Sequence, residues 1–577
     1  MSFQVFLGLR DPAGAAALLA RVSDPASERY GRYLTPADFR SRFARPQADI
    51  RPVTDWLRSQ GFSVGRVPLN HLYVPAAGTV VQVERAFDVE LGVYRSVGRL
   101  VRAPSGMPSV PADLRGLVRG VLGLEDTVMT AAGVPPAPPG PAYRDAKPCS
   151  TYWGEKLATN VPKAYGAYQP IIPCSYTPSQ MQSAYGIADA IASGNDGAGV
   201  TVAITDAYAS PTIQEDLDTY SDRHGLPQLN IQQITQHPSE GKPAQQQGWY
   251  GEETLDVEAV HSMAPGANIL YWGAKSPRGV DLRAAQTDII DHARASIITN
   301  SWGALGEQLP PKDIAADNQL FVQAGVEGIG IYYSSGDYGD EKEILGYVTT
   351  DWPAGSAYVT AVGGTSLALD QSDGYLFETA WGTAGSNLVN GHWSPEPPGG
   401  YFFGGGGGTD IITPQPTWQA GVVPMALASR WGGLNRVEPD VALDGDPYTG
   451  FLTGETGVFP NGQMRYAEAG SGGTSLSSPL FAGIMALADQ RAGFAHGFAN
   501  PALYALAGTG AFHDVVQPPQ QVVAVRVLWN NGVNNKKGKN WGVRTFNVTG
   551  TLSAAPGYDD VTGLGSPVGG ELLAALG

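Results

Sequence analysis

From about residue 176 onward, short apolar runs alternate with longer amphipathic ones, and this alternation restricts the fold more than any other feature of the chain. Residues 200–205, 268–272, 296–302 and 329–334 read as strands. Residues 214–224, 281–293 and 319–327 read as helices between them. Strands separated by helices make a parallel sheet with helices on both faces. Ligands of such sheets bind at the carboxyl ends of the strands. Residues just past each strand are therefore site candidates.

The first 125 residues have a different pattern. Residues 3–9 and 89–94 alternate as strands, and 11–22, 36–43, 50–60 and 80–87 carry helix starts and stops. A small α+β unit is expected, with helices on one face of an open sheet. Residues 126–178 read as a linker, because Val134-Pro135-Pro136-Ala137-Pro138-Pro139-Gly140-Pro141 is extended and exposed by composition. Such a segment invites proteolysis, anywhere from about 130 to 178. Residues 179–577 then form the main α/β domain. Cys149 and Cys174 lie in the linker region and are expected to be bridged.

Charge separates these parts further. Residues 1–147 hold 18 Lys and Arg against 13 Asp and Glu, a balance of +5, so the rest carries −22 of the net −17. A basic front part and an acidic body attract each other, less so in acid. The acidic body argues against nucleic acid as a partner. No apolar run is long enough to span a membrane. Residues 1–10 lack the basic start and long apolar centre of a secretion signal.

Gly472-Gly473-Thr474-Ser475 leads into a largely apolar run, 476–489, that reads as a buried helix. Pro479 is expected in its first turn. Ser475 would sit at the helix N-terminus, where free N–H groups and the dipole favour negative charge. An attacked carbonyl develops such a charge. A serine nucleophile needs a base. The helix 251–261 offers His261 near its end, and Glu252 and Asp256 spaced i,i+4 on one face. That face is either a solvated acidic surface, with Glu253 and Glu258, or a carboxyl pair sharing a proton. Asp337 follows the strand 329–334 in a Ser-Gly-Asp turn and could be an ordinary turn residue or an oxyanion donor. Two serines are decoys. Ser63 lies in a Gly-x-Ser-x-Gly run without the strand–turn–helix setting, and Ser366 repeats the letters around Ser475 but continues as a strand.

These motifs together resemble the sedolisins, or serine-carboxyl peptidases, whose nucleophile segment is similar to that of subtilisins. The carrying residues are Glu252 to Asp256 followed by Ala264-Pro265-Gly266-Ala267, then Ser335-Gly336-Asp337 and Gly473-Thr474-Ser475. Asp24-Pro25 through Thr35 and Asn70-His71-Leu72-Tyr73-Val74 resemble the family's activation domain. The resemblance implies a subtilisin-like sheet and an acid-active endopeptidase made as a zymogen. It implies Ser475 as nucleophile, Glu252 as general base, Asp256 orienting it and Asp337 as a protonated oxyanion donor. It also implies a secreted, monomeric enzyme acting on proteins or peptides, with its own pro-domain as inhibitor. A tripeptidyl-peptidase and a silent homologue stay open. Near the C-terminus, Asp514, Val515, Ala555, Gly557 and Asp559 match the family's calcium site, one Ca²⁺ bound by carboxylates and carbonyls. A long insert, 516–554, separates its two halves. Gly404 to Gly408 is expected to be a flexible loop, and Trp381, Tyr401 and Trp418 to line a cleft or pack in the core.

Overall fold

The structure is a computed structural model. It describes the whole chain except residues 97–98, 127, 132–142, 146, 236–242, 307–308, 459–462 and 531–537.

In the N-terminal part, strand Ser2–Phe6 lies between Tyr73–Ala77 and Gly120–Leu122, all antiparallel, with Ser63–Val64 outermost. Thr35 caps the helix Pro36–Phe43, and a Thr79/Gln82 capping box starts Val80–Phe87. Alternation along the first strand divides its side chains. Phe3 and Val5 pack with Ile50, Leu57, Val83 and Phe87 from the helices Gln47–Ser59 and Val80–Phe87. Gln4 and Phe6 face the other way, toward the body: Gln4 donates to the Val280 carbonyl at 2.8 Å. Leu18, Leu19 and Val22 of helix Pro12–Val22 share a core with Leu320 and Phe321. The ion pair Lys312–Glu125 across this boundary, at 2.7 Å, has its cation on the body. The other contacts mix neutral hydrogen bonds, such as Asn70–Gln323 and Tyr33 to the His496 carbonyl, with bonds between charged body side chains and neutral partners. Arg278 donates to Ser2 and Gly123, and Asp291 accepts from the Asn70 N–H. Among these the charged partner sits mostly on the body, so the direct contacts are not pairs of a basic front with an acidic body.

The body is built on one sheet. Its strands run Gln232–Thr235, Asn268–Ala274, Thr201–Ala207, Ile297–Asn300, Gly330–Ser334, Thr360–Leu369, each parallel to its neighbour. Val441–Asp444 adds parallel to the last of these, and Tyr375–Ala380 adds antiparallel. Helices Gly279–Asp291 and Pro311–Val326 cover the face turned to the N-terminal part. Helices Pro243–Met263 and Thr474–Ala492 cover the other. Within Thr201–Ala207, Val202 and Ile204 face one layer and Ala203 and Ala207 the opposite one.

Two features differ from the sequence reading. Residues 147–178 were grouped with the linker, yet they pack into the body. Cys149 and Cys174 are bridged, Ile171 and Ile172 are buried, and strand Tyr143–Asp145 pairs with the insert strand Val523–Asn530. The insert itself is a hairpin, Val523–Asn530 with Gly538–Thr545, added to Gly382–Val389. Gly404 to Gly408 is also not a loose loop: all five glycines are buried. Composition alone does not distinguish a floppy glycine run from one squeezed between backbones.

The helices Pro243–Met263 and Thr474–Ala492 meet at a glycine. A Cβ on Gly483 would lie 2.6 Å from the Met263 Cβ. Gly483→Val is expected to destabilise the body by about 1–3 kcal/mol through overpacking, read as a lower Tm in calorimetry.

Candidate active site

The carboxyl ends of the central strands, the middle of helix Pro243–Met263 and the start of helix Thr474–Ala492 converge on Ser475. The N-cap of its helix is Gly473 at φ +97°, a region closed to most side chains. Thr474 opens the helix, so the Ser475 N–H belongs to the first turn, where no intrahelical acceptor exists. Pro479 is therefore the sixth helical residue, not part of the first turn as its ring chemistry suggests. Its missing N–H would have bonded the Ser475 carbonyl. That carbonyl lies 3.1 Å from the Ser301 hydroxyl instead. The same hydroxyl is 2.7 Å from Asp256 Oδ1. Ser301 stands just past strand Ile297–Asn300, so the sheet edge ties the nucleophile's backbone to the carboxyl pair.

Glu252 and Asp256 lie on the helix Pro243–Met263 and are buried, at 7% and 0% exposure. The acidic face is thus internal, which removes the solvated-surface reading. The Glu252 side chain is hydrogen-bonded to the Ser475 side chain. Burial, and then the charge of Asp206, push the Glu252 pKa well above the usual carboxylate range. Asp256 is raised by burial first, then by Asp206 and Glu252. Asp206, at the end of strand Thr201–Ala207, is a third carboxyl of the cluster that sequence reading did not single out. Burial pushes it up to about 8. Asp206 Oδ1 and Oδ2, Glu252 Oε1 and Asp256 Oδ2 lack hydrogen-bond partners among the described residues. Like charges this close cannot all ionise, so the cluster retains protons.

Asp337 follows strand Gly330–Ser334, on the other side of the nucleophile loop. Its Oδ1 accepts from the Thr474 N–H at 2.8 Å and the Thr474 hydroxyl at 2.9 Å. Its Oδ2 has no partner and adjoins a small cavity lined by Gly303, Ser334, Gly336, Asp351 and Thr130 of the linker. Burial pushes its pKa up to about 6. A protonated Oδ2 there is a hydrogen-bond donor with nothing yet to donate to.

The remaining candidates lie elsewhere. His261 is nine residues past Glu252, half a turn around the helix. Its Nε2 is 2.9 Å from the Pro227 carbonyl, and burial lowers its pKa to about 4. Ser63 lies in the N-terminal sheet. The Ser366 hydroxyl donates to Asp446 at 2.8 Å, in a buried network with Thr383. Trp381 is fully buried, and Trp418 stacks near Arg436 and Tyr504. Asp514 and Asp559 converge on one loop: Asp514 accepts from Gly557 N–H at 3.0 and 3.2 Å, and Asp559 Oδ2 from Ala555 N–H at 3.0 Å. Val515 adjoins Asp514 and is buried.

Backbone from the N-terminal side enters this site. Thr130–Ala131 pairs antiparallel with Trp302–Gly303. Met129 N–H donates to the Pro277 carbonyl at 2.8 Å, and Val128 bridges Arg278. The chain thus runs as a strand between two edges of the body toward Ser475.

The raised carboxyls set the pH dependence of stability. Their folded pKa values exceed the unfolded value of about 4, so above that pH the folded state holds protons the unfolded state has released. Stability is then fully present below about pH 4 and is lost as pH rises through the folded values. With Asp337 at about 6 and Asp206 at about 8, Tm is expected to fall steadily from pH 4 to 8 in scanning calorimetry.

Comparison with known proteins identifies the family and the fold. Residues 1–127 match the family described as Pro-kumamolisin, activation domain, and residues 230–502 match the Subtilase family. Kumamolisin of Bacillus sp. (strain MN-32) is 30% identical over 537 residues, 92% of this chain and 83% of that protein. Tripeptidyl-peptidase 1 of Canis lupus familiaris is 26% identical over 345 residues, 56% of this chain and 51% of that protein. Among solved structures, Pseudomonas sedolisin complexed with pseudo-iodotyrostatin has a TM-score of 0.52 at 26% identity, covering 69% of this chain and 97% of that one. The fold is subtilisin-like, and the chain belongs to the sedolisin, or serine-carboxyl peptidase, family of serine-type peptidases, with its activation domain attached.

Proposed function

We propose that the protein is a secreted, acid-active endopeptidase made as a zymogen. The observation that carries this reading is the Glu252–Ser475 hydrogen bond inside a buried carboxyl cluster, with the nearby histidine turned away. Ser475 Oγ attacks the peptide carbonyl while Glu252 takes its proton, later passing it to the leaving amine. Asp256 orients Glu252 and is itself held by Ser301. The Ser475 N–H and protonated Asp337 Oδ2 stabilise the tetrahedral oxyanion. A positioned base contributes about 10²–10⁴-fold and one oxyanion donor about 10²–10³-fold.

The linker strand favours endopeptidase over tripeptidyl-peptidase action. A tripeptidyl-peptidase must stop its substrate three residues before the cut and bind a free ammonium there. Here Val128 to Ala131 runs through the groove between Arg278 and Gly303, and chain continues upstream. The same strand accounts for inhibition by the pro-domain. With Tyr143–Asp145 and the disulfide loop packed on the body, we place the maturation cut between Ala131 and Tyr143.

Asp514 and Asp559 suit one Ca²⁺. Among the described residues no group of three or more His, Cys, Asp or Glu side chains could bind a metal, so carbonyls must complete the shell, which Ca²⁺ accepts. Val515, Ala555 and Gly557 are the carbonyl donors of this reading. Asp559 is 1% exposed and held only by neutral donors, Val561 N–H, Thr562 and Ala555 N–H among them. A cation would neutralise it. The ion would brace the C-terminal loops and take no part in the reaction.

Acidification of the purified protein is expected to release a fragment ending between Ala131 and Tyr143, found by intact mass, and an activity able to cut blocked peptides internally. Activity should fall as pH rises past about 6, where Asp337 loses its proton. Ser475→Ala should be inert and Glu252→Gln about 10²–10⁴-fold slower. Release of tripeptides alone from free N-termini would favour the exopeptidase. Retained activity of Ser475→Ala, or an optimum above pH 8, would overturn the mechanism.

For the metal, a chelator should lower the Tm of the wild type, and added Ca²⁺ should restore it. Asp559→Ala should have a low Tm that neither reagent changes.

A further inference from the structure

We propose that Gly404 to Gly407 is a positioning strap for the Asp337 side chain. This rests on the reading of Asp337 as oxyanion donor. Thr474 secures one side of the Ser335-Gly336-Asp337 turn, through its hydroxyl and N–H. The glycine run secures the other side. The Gly404 N–H donates to the Asp337 carbonyl at 2.9 Å, and Gly406 N–H to the Gly336 carbonyl at 2.7 Å. The Gly339 N–H donates back to the Gly404 carbonyl at 2.9 Å. The Ser335 hydroxyl donates to the Gly406 carbonyl at 2.7 Å. Every residue from Ser335 to Asp337, and Gly339 beyond, is therefore bonded to this strap. The strap is itself anchored from behind, by Gly405 N–H on the Trp381 carbonyl at 3.0 Å.

Space, not backbone freedom, demands glycine here. Positive φ occurs at Gly408 but not at residues 404–407. A Cβ on Gly406 would lie 2.0 Å from the Ser335 carbonyl oxygen and 3.0 Å from the Gly336 Cα. On Gly405 it would meet the Gly364 nitrogen at 2.8 Å, and on Gly407 the Asp560 carbonyl at 2.3 Å. These obstacles are backbone and cannot rotate away. A side chain at 406 must push the turn, and with it Asp337 Oδ2, away from the position an oxyanion would occupy. Oxyanion donors act only within a narrow distance range, so the penalty falls on the transition state.

The experiment measures kcat and KM on a blocked peptide at acid pH. Gly406→Ala should lower kcat about 10²-fold with KM changed less than about two-fold. Gly400→Ala, at the start of the strand Gly400–Gly404 that leads into the strap but with nothing within 4 Å of its Cβ, should behave as wild type. If Gly406→Ala fails to fold, Ser335→Ala carries the test. It removes one strap bond without adding bulk and should lower kcat by up to about ten-fold. A double-mutant cycle with Asp337→Ala then locates the effect. Ser335→Ala should add almost nothing once Asp337 is gone. An equal loss in both backgrounds, or a KM rise in place of a kcat fall, overturns the strap. If Asp337→Ala itself leaves kcat intact, the oxyanion reading fails, and the strap with it.

Discussion

Carboxyl groups buried together without a cation retain protons, and the active centre depends on that constraint. Asp206, Glu252 and Asp256 crowd one side of Ser475 and Asp337 occupies the other. Arg and Lys are missing from the forces acting on all four. In water such acids ionise near pH 4. Here desolvation is the leading cause of every shift. On the reading proposed above, carboxylic acids would supply here what an imidazole supplies near neutrality: a proton acceptor beside the nucleophile in Glu252 and a proton donor in Asp337.

The fold makes that crowding possible because the four carboxyls come from three separate rigid elements. Asp206 and Asp337 end or follow strands, Glu252 and Asp256 lie one turn apart on a buried helix, and Ser475 begins another. The parallel sheet brings these ends to one edge. Ser301 and Thr474 join them, and the absent N–H of Pro479 leaves the Ser475 carbonyl open to Ser301. A proline that reads as a helix-start signal thus acts one turn later, through the bond it cannot make.

The sheet, the flanking helices and the separate N-terminal unit were legible in the sequence, because apolar periodicity encodes burial directly. Glu252 and Asp256 were legible as one helix face from their i,i+4 spacing, while Asp337 and Ser475 stood out through motifs that resemble the family's; the structure brings the side chains of Glu252 and Ser475 together. Asp206 was not, since one acidic residue closing a strand looks like any other until the helix packs over it. Ser301 and Thr474 were hidden for a similar reason: hydroxyl partners are chosen by tertiary approach. Gly404 to Gly408 was misjudged because composition does not say whether glycine supplies freedom or merely thinness. Residues 147–178 read as linker because they follow the Pro-rich run 134–141, while the partner of Ile171, Val525, lies more than 300 residues away.

Protonation links stability, inhibition and chemistry in one variable. On the reading proposed above, Asp337 must keep its proton while Glu252 must be free to accept one, and the ionisation of either buried acid weakens the folded state. The N-terminal part is held to the body by apolar packing, by neutral hydrogen bonds such as Asn70–Gln323, and by bonds to charged body side chains, Arg278 on Ser2 and Gly123 and Asp291 on the Asn70 N–H. Protonation in acid weakens the Asp291 bond and the Lys312–Glu125 pair and leaves the apolar packing in place. On the reading proposed above, release of the strand Thr130–Ala131 then falls to cleavage, and the segment from Tyr143 on, paired with Val523–Asn530 and bridged through Cys149–Cys174, would stay with the body.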